Sequence, residues 1–551
     1  MNYSLLKKSS WFDGHWYQAT YPDVLRSGLE PEAHYLHVGE RLGRKPSENF
    51  DPRWYLAEYP DVAKAGVSPL LHFITHGEQE GRLPCELEAL VWESALWRQE
   101  RPVDACLSAL ESLLSGTSSP EVGYAAFALG RWYAWQGKWS SAAASLAHRP
   151  NDRKSLPNHL GPELLTVEAL GRSGQLNEAW QAFVTLQEKA PEWADTCLAA
   201  ANLLAWQSEA SPSISANQRS ERQRQRLAWI NAVWKRNDLT EIELENSACG
   251  LNIDNLVDVD QAQLGFMPTH EDPAERLKHW IVQPRKTSFT THDLPLISVI
   301  VPAFKAANTL PTALPGLAVQ RGVNLEVIVV DDASPDETAA VAEAFVARDA
   351  RFRVIRQLHN QGAYAARNRG LAEARGEFIT VHDSDDWSHP DKLATQLAEL
   401  ERHPEWEACC SHWVRCTPEL IFGRWRMERG WTYRNVSSLM FRCRVFDALG
   451  YWDRVRVEAD TEYYHRIRAA FGDQAIGEVL PEVPLAFGRD ASDSLTAAGA
   501  THLVTQFSGL RADYREASQV WHRARAGHPQ QLYLPAEPAQ RPFDIPEAMR
   551  P

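Results

Sequence analysis

FITVHDSDDW (378–387) runs from an apolar, strand-like segment, Phe378 to His382, straight into three carboxylates, Asp383, Asp385 and Asp386. A parallel strand buried on both faces reads as a continuous β-rich run, and ligands of such sheets bind beyond the carboxyl ends of the strands. Acids clustered there are poor core residues, because burying unpaired charge costs too much. They call for a cation. Carboxylates with room left for phosphate oxygens are a common way to hold Mg²⁺ or Mn²⁺ against a nucleotide. Asp-x-Asp alone is frequent in acidic chains, so its weight depends on what precedes it.

What precedes it is ordered. SVIVPAF (298–304) reads as a first strand ending at Pro302, and LEVIVVDDAS (325–334) as a second ending in Asp331–Asp332. Ser334, Pro335 and Glu337 have the spacing of a capping box that starts a helix. FRVIRQ (352–357) is a third strand, Ala363 to Arg375 a helix stopped by Gly376, and EFITVHD a fourth strand. This alternation predicts an α/β domain with a doubly wound, mostly parallel sheet.

These segments, with NQGAYAARNRG (360–370), resemble the nucleotide-binding half of a glycosyltransferase family 2 domain of GT-A fold, over roughly 296–490. The resemblance implies an inverting enzyme that moves a sugar from a nucleotide diphosphate to an acceptor hydroxyl. It implies that Pro302 and Phe304 flank the base and that Asp332 hydrogen-bonds its ring. It makes Asp383 and Asp385 the D-x-D pair, with Asp385 the more direct ligand of Mn²⁺ or Mg²⁺. Asp331, Asn360 and Arg367 join the cofactor-binding candidates, though Asp331 also reads as a turn residue and Asp386 as a surface acid. In EADTEYYHRI (458–467) the family's general base falls on Asp460, with Glu458 as substitute. A base needs a carboxylate within reach of the acceptor hydroxyl, whereas Asp is also a favoured N-cap. Arg489 reads either as a pyrophosphate ligand or as surface. The Q-x-x-R-W motif and membrane helices of polymer-extruding relatives are missing.

With 551 residues the chain is expected to form about three domains. A formal charge of −15 argues against nucleic acid as a partner. Eight cysteines without C-x-x-C or zinc-like spacing read as reduced and buried, which points to a cytoplasmic protein. MNYSLLKKSS lacks the apolar core of a signal peptide, and no run reaches the length of a membrane span.

Residues 11–46 align with 49–84 at a constant offset of 38, including Tyr-Pro-Asp-Val at 21–24 and 59–62, as a repeated unit would. Each copy reads as two short helices, and His34 and His72 as packed core residues rather than metal ligands. Similar Tyr-Pro-Asp-Val modules occur beside glycosyltransferase domains. From 87 to 245 the spacing is helical and resembles tetratricopeptide-type hairpins, a solenoid suited to binding protein partners. The basic stretch 217–236 reads as a solvated face, or as a helix for peripheral contact with an anionic membrane. The expected order is thus repeats (1–86), helical region (87–245), linker (246–293), GT-A domain (294–498), then a helix and Pro-rich tail (499–551).

The function expected is a metal-dependent transfer from a UDP-sugar to a carbohydrate or glycolipid acceptor, in the cytoplasm or at the inner face of the membrane. The rivals are a nucleotide-binding scaffold without activity and a nucleotidyl transferase. The second is disfavoured by the absence of a G-x-G-x-R-like loop.

Overall fold

The computed structural model describes residues 2–150, 160–211, 213, 215–244, 251–258, 294–423, 430–490 and 503–550. Most of the expected linker, including Glu271-Asp-Pro and 287–291, and residues 491–496 after Arg489 lie outside these. Two compact units divide the chain, with the boundary between Leu186 and Gln187.

In the first unit each repeat holds three short helices, not two. They are Gly14–Thr20, Asp23–Ser27 and Pro31–His34 in the first copy, and Pro52–Glu58, Pro60–Ala65 and Pro69–His72 in the second. The Tyr-Pro-Asp corner restarts a helix rather than joining two, because proline suits a first helical turn. The third helix runs into a π-turn, Tyr35–Gly39 or Phe73–Gly77. The recurring letters explain one another. Tyr17 and Tyr55 place their hydroxyls 3.2 and 3.1 Å from Nδ1 of His34 and His72. A Cβ at Gly39 or Gly77 would stand 2.0 or 2.3 Å from those hydroxyls, so only glycine fits. The arginine of the terminal Gly-Arg pairs with the aspartate of Tyr-Pro-Asp-Val, Arg44 with Asp23 and Arg82 with Asp61. It also covers the tyrosine of the same motif. Helices follow from Glu88–Arg98 onward.

The second unit holds the sheets. Its strands are β1 (Ile242–Leu244), β2 (Leu256–Asp258), β3 (Leu296–Ala303), β4 (Asn324–Asp331), β5 (Phe352–Arg356), β6 (Phe378–Val381), β7 (Trp387–Ser388), β8 (Ala408–Cys410), β9 (His412–Cys416), β10 (Thr432–Arg434), β11 (Met440–Arg442), β12 (Ile476–Glu478) and β13 (Pro484–Arg489). The main sheet has the order β12-β8-β11-β6-β3-β4-β5. Its β6-β3-β4-β5 half is parallel, as the four apolar runs predict, and β11 is antiparallel to both neighbours. Alternate residues of β3 feed two cores, Val299 and Val301 one, Ile300 the other. The run EACCSHWV (407–414) spans two strands: at Ser411 the chain leaves the main sheet and enters a second, β10-β9-β13-β7.

The helices Ala194–Glu209 and Ala216–Lys235 belong to this unit. The expected helical region therefore splits, because its last two helices carry side chains that bind the second sheet's backbone. Asp195 accepts from the N–H groups of Trp431 and Thr432, Asn202 pairs with both backbone groups of Phe422, and Arg226 donates to the carbonyls of Glu419 and Leu420. Arg226 is buried, so the basic stretch is not simply a solvated face. Trp234 packs on Trp387 and Phe487 behind the Asp cluster. Part of the expected linker is also built in, since β2 pairs antiparallel with β1. The tail folds back: Tyr514, Trp521, Leu532 and Met549 join the core, and Arg541 pairs with Asp453.

Candidate functional site

The site lies at the carboxyl ends of β3, β4 and β6. The loops after β3 and β4 hold Lys305 and Ala333 at φ of 54° and 57°, left-handed backbone that non-glycine residues adopt at a cost of order 1–3 kcal/mol. Phe304 presents an exposed ring there, whereas Pro302 is buried in β3 beside Val330. Asp331 accepts from the Ser334 N–H, as a turn residue does. Asp332, 2% exposed, accepts from the N–H groups of Gln361 and Gly362 and from Gln357. Its visible work is fastening the loop 357–362, not facing a ligand. Asn360, in that loop, is exposed. The predicted capping box does not form: Ser334 Oγ accepts from Lys305, the helix begins at Thr338, and Asp336 accepts from the Thr338 N–H.

The acid cluster is more buried than a surface motif. Asp386 is 5% exposed, so it is not a surface acid. Burial, then repulsion from Asp383, pushes the Asp385 carboxyl above its usual range. Burial, then Asp385 and Asp383, raises Asp386 further. Burial also lowers Lys392 to about 8 and His382 to about 3. Arg489 is neither free nor on the surface. It donates to the Asp385 carbonyl and pairs with Asp254, which also receives the Thr312 hydroxyl.

Arg367, on the helix Ala363–Leu371, is buried between the two chemical candidates. It donates to Asp383 at 2.7 Å and stands 3.9 Å from Asp460. Asp460 sits one position inside the helix Ala459–Phe471 and is not its N-cap. Its carboxylate accepts from the Tyr364 hydroxyl at 2.9 Å, the Ser437 hydroxyl at 3.2 Å and the Thr461 N–H. Glu458 occupies the N-cap at φ 75° and is paired with Arg511 and Arg515. Held by two guanidiniums from the C-terminal helix, it is not available as a substitute base. Sequence reading missed Tyr364, Ser437, Lys392 and Asp254. Tyr364 lies inside a recognised segment, but nothing in spacing shows which hydroxyls meet a carboxylate, and Asp254 lies in a stretch without periodicity.

Residues 298–448 match the family model for glycosyl transferase family 2. The succinoglycan biosynthesis protein ExoO of Rhizobium meliloti is 42% identical over 108 residues, 20% of this chain and 30% of that protein. Glycosyltransferase GlyG of Streptococcus pneumoniae is 41% identical over 106 residues, 19% of this chain and 35% of that protein. The chain thus spans about a third of the length of these curated relatives. Among solved structures, S. aureus TarS 1–349 in complex with UDP-GlcNAc has TM-score 0.31 and 19% identity, covering 37% of this chain and 61% of that one. The mannosyltransferase PcManGT from Pyrobaculum calidifontis, in complex with GDP-Man and Mn²⁺, has TM-score 0.30 and 20% identity, covering 40% and 64%. Superpositions this loose transfer no ligand to this chain. The family match and the relatives support a GT-A glycosyltransferase domain here. Among the described residues no helix is long and apolar enough to cross a membrane.

Proposed function

We propose that the chain is an inverting glycosyltransferase that moves a sugar from a nucleotide-diphosphate sugar, with UDP-sugars as the donors to test first, to an acceptor hydroxyl of a surface polysaccharide or glycoconjugate. The observation that carries this reading is Arg367 set between Asp383 and Asp460, with a crowded carboxylate pair on one side and a hydrogen-bonded carboxylate on the other. In the reaction Asp460 takes the acceptor proton, the hydroxyl oxygen attacks the anomeric carbon, and the bond from that carbon to the diphosphate breaks on the opposite face. Tyr364 and Ser437 aim the carboxylate. Phe304 offers a face for the base.

Asp383 and Asp385 are the candidate ligands for a divalent cation, although among the described residues no group of three or more such side chains is already gathered around a metal position. Burial, then repulsion within the cluster, keeps the Asp385 and Asp386 carboxyls above the usual range, although Arg415, Arg489 and Lys392 offset part of that charge. Hard carboxylate oxygens suit Mn²⁺ or Mg²⁺, which Asp385 and Asp383 would hold. When bound, such an ion supplies positive charge to the diphosphate leaving group. Acceptor recruitment through the helical repeats, and a place at the inner face of the cell membrane, complete the proposal.

A thermal-shift and calorimetry panel of UDP- and GDP-sugars, with and without Mn²⁺, tests it. Stabilisation by at least one donor that depends on Mn²⁺, and is lost in Asp385→Asn, is the expected result. Equal affinity in mutant and wild type removes the metal assignment, and no binding by any donor removes the reading.

A further inference from the structure

Behind Asp383 lies a small polar cavity with room for roughly one water-sized group. Its walls include His382, Asp383, Asp386, Lys392, Asn435 and Ser437. Two of these residues, 4% and 2% exposed, carry a buried atom without a hydrogen-bond partner, Nε2 of His382 and Oδ1 of Asn435. Buried polar atoms are nearly always satisfied, so two such atoms beside one cavity mark a missing group.

The chemistry of that group can be read from the wall. Nδ1 of His382 lies 2.8 Å from the Asp383 carbonyl, which can only accept, so Nδ1 carries the ring proton. A neutral ring buried near Lys392 then presents Nε2 as an acceptor. Asn435 Oδ1 is a second acceptor. Lys392 gives one N–H to Ser388 Oγ and has two more donors at the wall. A group that satisfies them must donate to His382 or Asn435. A hydroxyl or a water does so, whereas a carbonyl or acetamido oxygen only accepts.

The place of the cavity decides which hydroxyl. Its more accessible walls are Asp383 and Ser437, and Ser437 donates to Asp460. In an in-line displacement the transferred sugar lies between the leaving diphosphate and the base, hence between Asp383 and Asp460. We infer that this cavity receives one ring or exocyclic hydroxyl of the transferred sugar, with His382 and Asn435 as specificity-determining acceptors. The inference rests on the donor reading above. Neither residue belongs to the acid cluster or the base, so they govern which sugar is held and not whether a nucleotide binds. A site built to hydrogen-bond a hydroxyl rejects the analogue lacking it far more strongly than an apolar pocket rejects an extra methylene.

The experiment uses the full chain with Mn²⁺ and calorimetry. The probes are UDP, GDP, UDP-glucose, UDP-galactose, UDP-N-acetylglucosamine and GDP-mannose, followed by the monodeoxyfluoro derivatives of the tightest donor. Fluorine cannot donate a hydrogen bond. The expected result is that replacement at one sugar carbon weakens wild-type binding by about tenfold or more while replacement elsewhere does not. In His382→Leu that penalty disappears, and UDP or GDP binds as in wild type. His382→Gln, which restores a polar side chain, is run in parallel, and melting curves qualify both variants. If UDP and GDP bind but all monodeoxyfluoro donors bind wild type alike, the cavity holds only water and the inference falls while the donor reading stands. If neither diphosphate binds, both fall. An unchanged penalty at that carbon in folded His382→Leu and His382→Gln also overturns it.

Discussion

The two repeats and the Asp cluster are both rich in acids, yet they treat them oppositely. In the repeats the recurring aspartates all have partners: Asp13 and Asp51 cap helices, and Asp23 and Asp61 take the guanidiniums of Arg44 and Arg82. The arginine beside Asp61 holds its carboxyl below the usual range. In the second unit Asp385 and Asp386 are buried against each other and pushed above that range. The aspartates of the repeats are answered within the module, whereas the acids of the cluster crowd one another, an arrangement that is common where a ligand binds.

The sharpest way to break this comparison is to remove the charge that holds the site together. Arg367→Met deletes the buried cation shared by Asp383 and Asp460 and leaves two half-buried carboxylates without it. Breaking a buried pair from one side costs roughly 3–5 kcal/mol. Chemical denaturation should show a loss of that order. A loss under about 1 kcal/mol would mean that the carboxylates tolerate isolation, contrary to the crowding argued here.

Next in size is Asp460→Asn. As base it acts in the chemical step alone, so turnover at saturating donor and Mn²⁺ should fall by about 10²-fold or more, with donor affinity little changed. Because Asp460 is not the N-cap, the melting curve should barely move. Near wild-type turnover would take Asp460 out of the mechanism. Glu458, tied to Arg511 and Arg515, could not replace it without breaking those pairs.

Asp195 sharpens the comparison through pH. It is wholly buried, answered only by neutral donors, and burial raises it to about 6. The folded chain therefore binds this proton more tightly than the unfolded chain, whose Asp titrates near 3.9. The sign follows: stability from this group is greatest below about 4, declines as pH rises, and is flat above the folded value. The decline amounts to roughly 2–3 kcal/mol. Denaturation of wild type and Asp195→Asn at a series of pH values isolates it. Parallel curves from pH 4 to 7 would mean the carboxylate is better solvated than its burial indicates.

What was legible in the sequence follows the same divide. The four apolar runs ending in Asp331–Asp332 and Asp383–Asp386 marked the parallel half-sheet, because burial on both faces leaves an unbroken hydrophobic signature. The antiparallel half was less plain, since β8 and β9 are one continuous run that changes sheets at Ser411 without any turn residue to announce it. Asp385 could be picked out as a ligand candidate from its neighbours in sequence. His382, Lys392 and Asn435 could not, because their significance is a shared cavity formed by distant segments. The surroundings of Pro302 and Asp332 were hidden for a related reason. A motif shows which residues recur, whereas only burial shows whether a side chain faces a ligand or its own loop.

The smallest expected effect is in the repeats. Asp61 is 62% exposed at its side chain, and its pair with Arg82 is screened by water and salt. Asp61→Asn should therefore leave the melting curve without a resolvable change at physiological salt. Arg82→Ala should do more, because the guanidinium also lies 4.8 Å from the centre of the Tyr59 ring, and truncation removes that cover as well as the charge. Arg82→Lys separates the two contributions: it keeps the charge and loses the planar stack. If the repeat acids serve only local structure, the order of destabilisation should be Ala, then Lys, then the silent Asp61→Asn, with Mn²⁺-dependent nucleotide binding unaffected throughout. A loss of nucleotide binding in any folded member of this series would mean that the repeats feed the site directly, and the contrast between a self-satisfied module and a ligand-demanding cluster would no longer separate the two parts of the chain.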